Sequence, residues 1–246
     1  MQIKDYQVVL LGVMIALGSI FSTYILSKSI IEFQKLQNQT IRVTGSASQE
    51  VTSDSASWTV RFSRIKPTLK EGYALLESDA QKIKEFFIEN GFEESDIDFS
   101  IINSYPNYKR FPGSYNVSNE IESYTVNQSA TVKSNDIDKL TKTSKKVSSL
   151  INRDITLEAE RVQYFVSNLD DIKIKVASEA SKNAKERAKS LVEGTNGKIG
   201  VMTNAKLGVF QIVPVDSTEV DDYGINDTSS IEKKVVSTVS ATFTVK

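Results

Sequence analysis

The chain has 246 residues, 30 Lys and Arg against 31 Asp and Glu, a net charge of −1, and neither cysteine nor histidine. Without cysteine there are no disulfides, thiolate nucleophiles or cysteine zinc sites; without histidine there are no Ser-His-Asp triads or H-E-x-x-H metal sites, and the usual general base near neutral pH is missing. The balanced charge leaves no basic footprint for nucleic acid, and the composition, 39% hydrophobic and 25% charged, is that of a largely globular chain.

Residues 6–27 contain no charge and lie between Asp5 and Lys28. As a helix this segment would span roughly 33 Å at ~1.5 Å per residue, close to a ~30 Å hydrocarbon core. Tyr6 and Tyr24 stand near its ends, where aromatic rings favour the interface. It reads as an uncleaved membrane anchor with a short stalk, residues 1–38, ahead of one domain, residues 39–246. The alternative is a cleaved signal peptide, for which Ala16-Leu17-Gly18 offers a small-x-small site. Against cleavage, the apolar run continues through Ile20, Phe21, Ile25 and Leu26. Lys28, Lys35 and Arg42 follow the segment and Lys4 precedes it, so the positive-inside count does not favour an external domain.

Beyond the anchor, Thr40–Ser48 and Ala56–Ile65 alternate as strands, the second with Trp58, Val60 and Phe62 on one face. Pro67 opens a helix whose apolar stripe is Leu69, Tyr73, Leu76, Ala80, Ile83 and Phe87, ended by Gly91. Ile97–Tyr105 is a third strand, Tyr105–Tyr115 a Pro-, Gly- and aromatic-rich loop, and Ser123–Lys133 a fourth strand. A second helix capped by Asn135 or Asp136 carries Ile137, Leu140, Ser144, Val147 and Ile151. A strand region at Ile155–Val166 leads to a long helix, Asp170–Val192, stopped by Gly194. Strands at Lys206–Val213 and Val235–Val245 close the chain. Hairpins mixed with helices predict an α+β fold: a largely antiparallel sheet with helices packed on one face, plus the N-terminal transmembrane helix.

Several stretches of the domain are similar to the SIMPL family. Val43-Thr44-Gly45-Ser46-Ala47 resembles the family's V-x-G-x-G/A opening, and Asp54-Ser55-Ala56 its D-x-A. Tyr105-Pro106-Asn107-Tyr108 and Tyr124-Thr125-Val126 look like its mid-domain strands. Asn168-Leu169-Asp170-Asp171, the recurring Ala177, Ala180, Ala184 and Ala188, then Leu191 and Gly197-Lys198-Ile199-Gly200 resemble its Ala-rich helix and closing turn; Val192 stands where Ala is usual. The resemblance covers about residues 40–246. It implies a domain exported or anchored outside the cytoplasm, homo-oligomers, ring-like in the bacterial periplasmic immunogenic proteins, and a link to envelope stress responses. It brings no catalytic residues with it.

Two loops are the candidate sites. Tyr105, Tyr108, Phe111 and Tyr115 combine with Lys109 and Arg110, a mixture that suits a partner surface, a glycan or a headgroup layer. The alternative is a long hairpin whose aromatics fold back on the sheet. Asp216, Glu219, Asp221, Asp222 and Asp227 form an acidic stretch whose spacing does not fit an EF-hand; a solvated loop or an interface with a basic neighbour fits better. The Ala stripe of the long helix reads as close packing on the sheet, with Ile174 and Leu191 on the same face. Gly194–Gly200 lacks the phosphate-loop pattern and follows a helix, so it reads as a cap and turn.

The expectation is a single-pass membrane protein with its C-terminal domain outside the cytoplasm, working as a non-enzymatic binding or assembly module. Its expected partners are the membrane, through residues 6–27, and further copies of itself; neither nucleic acid nor a cofactor is expected. The rival expectation is a small-molecule or divalent-ion binding domain, or an enzyme using carboxylates or tyrosine.

Overall fold

The computed structural model describes residues 2–111 and 117–246. The chain begins with helix α1, Gln2–Asn38, which continues without a break through the region expected to be anchor or stalk. Its segment Leu10–Glu32 is long and apolar enough to cross a membrane, and none of it is buried. Strands β1, Thr40–Thr52, and β2, Ser55–Lys66, follow. Helix α2, Leu69–Glu89, starts at Thr68, whose hydroxyl accepts a hydrogen bond from the Glu71 amide, and ends at Asn90, with Gly91 beyond it at φ +86°. Next come β3, Ile97–Phe99, β4, Asn103–Arg110, and β5, Val117–Ser134. Helices α3, Ile137–Ser144, and α4, Ser148–Ile151, lead to β6, Leu157–Ala159, and β7, Gln163–Phe165. The chain closes with α5, Leu169–Glu193, β8, Ile199–Leu207, β9, Gln211–Pro214, and β10, Glu232–Val245. The fold is α+β with antiparallel sheets, as the alternation of patterns predicts.

The chain divides into two compact units, residues 1–48, 173–210 and 236–246 in one and 49–172 and 211–235 in the other. In the second unit β3, β5, β2 and β6 lie in that order, with β4 added to β5 and β7 to β2. The β2–β5 pairing runs without interruption from Ala56 opposite Ser134 to Lys66 opposite Tyr124. Alternation then places Trp58, Val60, Phe62, Val126, Ala130 and Val132 on one face, where they meet Leu76, Ile83, Phe86 and Phe87 of α2. Phe87 sits at the centre, edge-on to Trp58 at 5.7 Å, to Phe86 at 5.5 Å and to Phe92 at 6.0 Å. Such pairs contribute about 0.5–1.5 kcal/mol each beyond the area they bury. The Trp58 indole N–H donates to the Glu160 carbonyl at 3.0 Å.

In the first unit the C-terminal part of β10 pairs with β8 from Val239 opposite Leu207 to Val245 opposite Ile199. Val43, Val239, Ala241 and Phe243 face Ala180, Ala184 and Ala188 of α5. The helix comes so close that a Cβ on Gly45 would lie 2.3 Å from the Ala180 carbonyl oxygen and 2.3 Å from the Ala184 amide. The small side chains of α5 therefore serve close packing on the strand, as expected.

Several expectations need correction. The stretch expected as a loop, Tyr105–Tyr115, is strand up to Arg110; Pro106 is tolerated because, among the described residues, β4 pairs only with β5, which leaves one edge of the strand needing no N–H donor. The single strand expected at Ile97–Tyr105 is two strands, β3 and β4. The second helix is broken into α3 and α4, and Ile151 is exposed while Leu150 is buried. The strand expected at Lys206–Val213 is β8, which ends at Leu207, and a separate β9. Ile174 and Leu191 are not on the buried face of α5 but are 71% and 59% exposed; Ile172, Val176 and Val192 are buried instead. These three continue the i+4 spacing of Ala180, Ala184 and Ala188 in both directions, whereas Ile174 and Leu191 stand off that row. α5 does stop ahead of Gly194 as expected, ending at Glu193, and the turn after it has its left-handed residue at Asn196, φ 61°.

Candidate binding site

The aromatic stretch forms the β4–β5 hairpin, where Tyr105 lies opposite Thr125, Tyr108 opposite Ile121 and Arg110 opposite Val117. Tyr105, Tyr108 and Phe111 are all exposed, so the structure shows the hairpin without the folded-back aromatics. Tyr115 lies outside the described residues. Lys109 is held within the hairpin: its ammonium donates to Glu120 at 2.8 Å. That contact raises the Lys109 pKa and lowers that of Glu120, in each case first through the hydrogen bond and then through the charge of the partner. Arg110 is exposed at the end of the strand.

Strand pairing builds a surface that sequence patterns did not single out. Residues directly opposite one another in antiparallel strands share a face. Asn103 lies opposite Asn127, which lies opposite Ser63; Arg61 lies opposite Ser129 on one side and Glu158 on the other. With Tyr105, these side chains stand on the face of the second unit's sheet turned away from α2 and line a groove of about 580 Å³. The Arg61 guanidinium also reaches Glu160 at 2.5 Å. The signal for this face was present in the odd-numbered residues of β2 and β5, but reading it required the register between strands.

The acidic stretch does not act as one cluster. Asp216, Glu219, Asp221 and Asp222 are exposed, and Asp227 is half-buried and committed elsewhere. The Asp227 carboxylate accepts from the Ser229 amide at 2.9 Å, the Ser229 hydroxyl at 2.7 Å and the Ser230 amide at 3.2 Å. Burial pushes its pKa up, but these bonds and the charge of Lys233 outweigh burial and hold it below the usual carboxylate range. Asp221 is a turn residue: its carboxylate accepts from the Tyr223 amide, and its carbonyl accepts from the buried Gln211 side chain at 2.7 Å. The groove that Tyr105 lines contains none of the five acidic residues. Among the described residues no three Asp or Glu side chains gather as metal ligands would.

Three further polar arrangements escaped the sequence reading, and each is a structural brace. Asp79 is 1% exposed and bound by both arms of Arg64. Lys233 is 2% exposed and donates to the carbonyls of Tyr164 and Asp227, each at 2.6 Å; burial lowers its pKa, and the nearby Asp227 opposes that shift. Asp54 accepts from the Ser167 hydroxyl at 2.5 Å and from the Ser167 amide, which lowers its pKa. This last bond explains an aspartate in the D-x-A segment: it ties the start of β2 to the turn ahead of α5.

Comparison with curated proteins gave no match to this chain. A family's sequence model matches residues 41–246, which is nearly everything beyond α1. On that match the chain belongs to the SIMPL family, described as proteins of unknown function (DUF541).

Proposed function

We propose that this SIMPL protein is anchored in a membrane by α1 and works outside the cytoplasm as a binding and assembly module, associating with copies of itself and not transforming a substrate. The observation that carries this reading is the edge of the first unit's sheet. Among the described residues β8 pairs with β10 on one side only, and seven of its nine residues are exposed, Val201, Met202 and Leu207 among them. An edge strand with open backbone groups is a template for pairing with another chain, and the exposed Val201, Met202 and Leu207 give that edge apolar side chains to cover. Exposed Ile174 and Leu191 on α5 add apolar surface to the same unit. The wholly unburied span Leu10–Glu32 supports an anchor, because an apolar helix with no protein cover needs lipid.

The test is the mass of the full chain in detergent or lipid nanodiscs, measured by light scattering across a wide concentration range. The reading expects a defined oligomer; a strict monomer at high concentration sinks it. Protease protection on intact cells tests the side of the membrane: an external domain is cleaved without lysis.

A further inference from the structure

We propose that the groove on the outer face of the second unit's sheet is a saccharide-binding site, with Tyr105 as its stacking platform. The proposal stands apart from self-assembly, since it rests on other residues in the other unit. Its volume, about 580 Å³, is in the range of small-ligand sites, roughly 300–1,000 Å³. What lines it selects the ligand class. Among the described residues the groove carries one cation, Arg61, facing Glu158 across the strand pair and bonded to Glu160. That balance disfavours phosphate, nucleic acid and anionic headgroups, which need an excess of positive charge. Hydroxyls and amides make up most of the walls, which disfavours a lipid chain. A peptide strand would be recognised along an open sheet edge, and this groove lies on a face.

A neutral sugar answers each of these features. Its hydroxyls donate and accept at once, and they pair best with planar groups that offer both in fixed geometry. Asn103 and Asn127 are such groups, placed side by side by the β4–β5 register. Among the described residues neither amide side chain has a hydrogen-bond partner, and neither has Glu158. All three are thus available while their backbones are fixed in the sheet. Tyr105, at the rim and exposed, presents a ring to the C–H face of a pyranose. The aromatic hairpin then has a second use: it sets the ring beside the amides.

The experiment titrates the detergent-solubilised full chain with chitohexaose, cellohexaose and maltohexaose, using calorimetry and saturation-transfer NMR. At least one oligosaccharide is expected to bind. Tyr105→Ala is expected to weaken it by about tenfold, the loss of one good aromatic contact, and Asn127→Ala to weaken it as well. Tyr223→Ala, which removes a still more exposed tyrosine that does not line the groove, is expected to change nothing. Tyr105 is an exposed residue on an edge strand, so its variant keeps the fold, and an unchanged unfolding midpoint verifies this. Absence of binding to all three sugars at millimolar concentration overturns the proposal. So does binding that Tyr105→Ala and Asn127→Ala leave intact, or saturable binding of inorganic phosphate or polyphosphate in the groove in place of sugar.

Discussion

Arg64 holds Asp79 with two hydrogen bonds, Nε to Oδ2 at 2.5 Å and Nη2 to Oδ1 at 2.8 Å, at the point where α2 crosses the inner face of β2. The same guanidinium also bonds the carbonyl of Asp154, which sits at φ 62°. Its pKa is raised chiefly by the bond to Asp79, with burial opposing. Removing one partner leaves the other charged and desolvated, so Asp79→Ala is expected to lower stability by about 3–5 kcal/mol. Replacing both, Arg64→Met with Asp79→Leu, is expected to recover much of that loss. Chemical denaturation of the wild type, the singles and the double gives the cycle; additive singles would show that the pair is not coupled.

Gly45 is where the strand and α5 touch backbone to backbone. Gly45→Ala puts a methyl group 2.3 Å from main-chain atoms that belong to a helix and cannot swing aside. Overpacking of this kind costs typically 1–3 kcal/mol and sometimes more. A fall in the thermal midpoint is expected, and Ala184→Leu, approaching from the other side, is expected to act alike. Normal stability of Gly45→Ala would mean that the helix lies further from β1 than described.

Lys233 gives the second unit an alkaline signature. Its folded pKa lies below its unfolded value of ~10.4, so over the interval between them the unfolded chain binds the extra proton. Stability from this group therefore rises as pH increases through the folded pKa, and is lowest below it. Lys233→Met is expected to remove that slope. It also strands two carbonyls, of Tyr164 and Asp227, which destabilises at neutral pH by about 1–3 kcal/mol. Urea unfolding between pH 7 and 10 reads both effects.

Asp54 and Asp227 act at the acid end. Both have folded pKa values depressed below the unfolded ~3.9, so the stability they supply is present above that value and lost as pH falls through the folded values. Asp54→Asn is expected to flatten the acid limb of the stability profile. Identical acid limbs in wild type and variant would remove Asp54 from the account.

Assembly through β8 predicts that a charge on its exposed edge disrupts it. Val201→Lys is expected to shift the full chain toward monomer in detergent while leaving the folding stability of the subunit within ~0.5 kcal/mol of wild type, as exposed substitutions usually do. An unchanged mass for Val201→Lys would direct attention to other surfaces.

Period-2 and period-3.6 patterns placed β2, α2, α5 and β10 within a few residues, because each has one strongly apolar face. They failed where a tertiary partner overrides local signals. Pro106 reads as a loop until β4 is known to be an edge, and Ser144 reads as part of an apolar stripe until α3 is seen to stop there. Asp79, three residues after Leu76 and four before Ile83, stood on the buried stripe in plain view, but a carboxylate there makes sense only once Arg64 is found across the layer. The groove was the least legible feature: Tyr105 could be named from the sequence, whereas Asn103, Asn127, Arg61 and Glu158 come together only through strand register.

Helix α1 ends at Asn38 and β1 begins at Thr40, so a single residue, Gln39, separates them, and its carbonyl already accepts from the Val245 amide. From Glu32 to the sheet there are six helical residues, roughly 9 Å of rise. An anchored copy is thus leashed almost without slack: it can spin and drift in the plane of the bilayer, but it cannot roam away from it. Confinement of this sort raises the local concentration of neighbours and presents them at one height. Contacts that need a high concentration in free solution would then form at ordinary density on the membrane, and removing the helix would weaken them without touching a single contact residue.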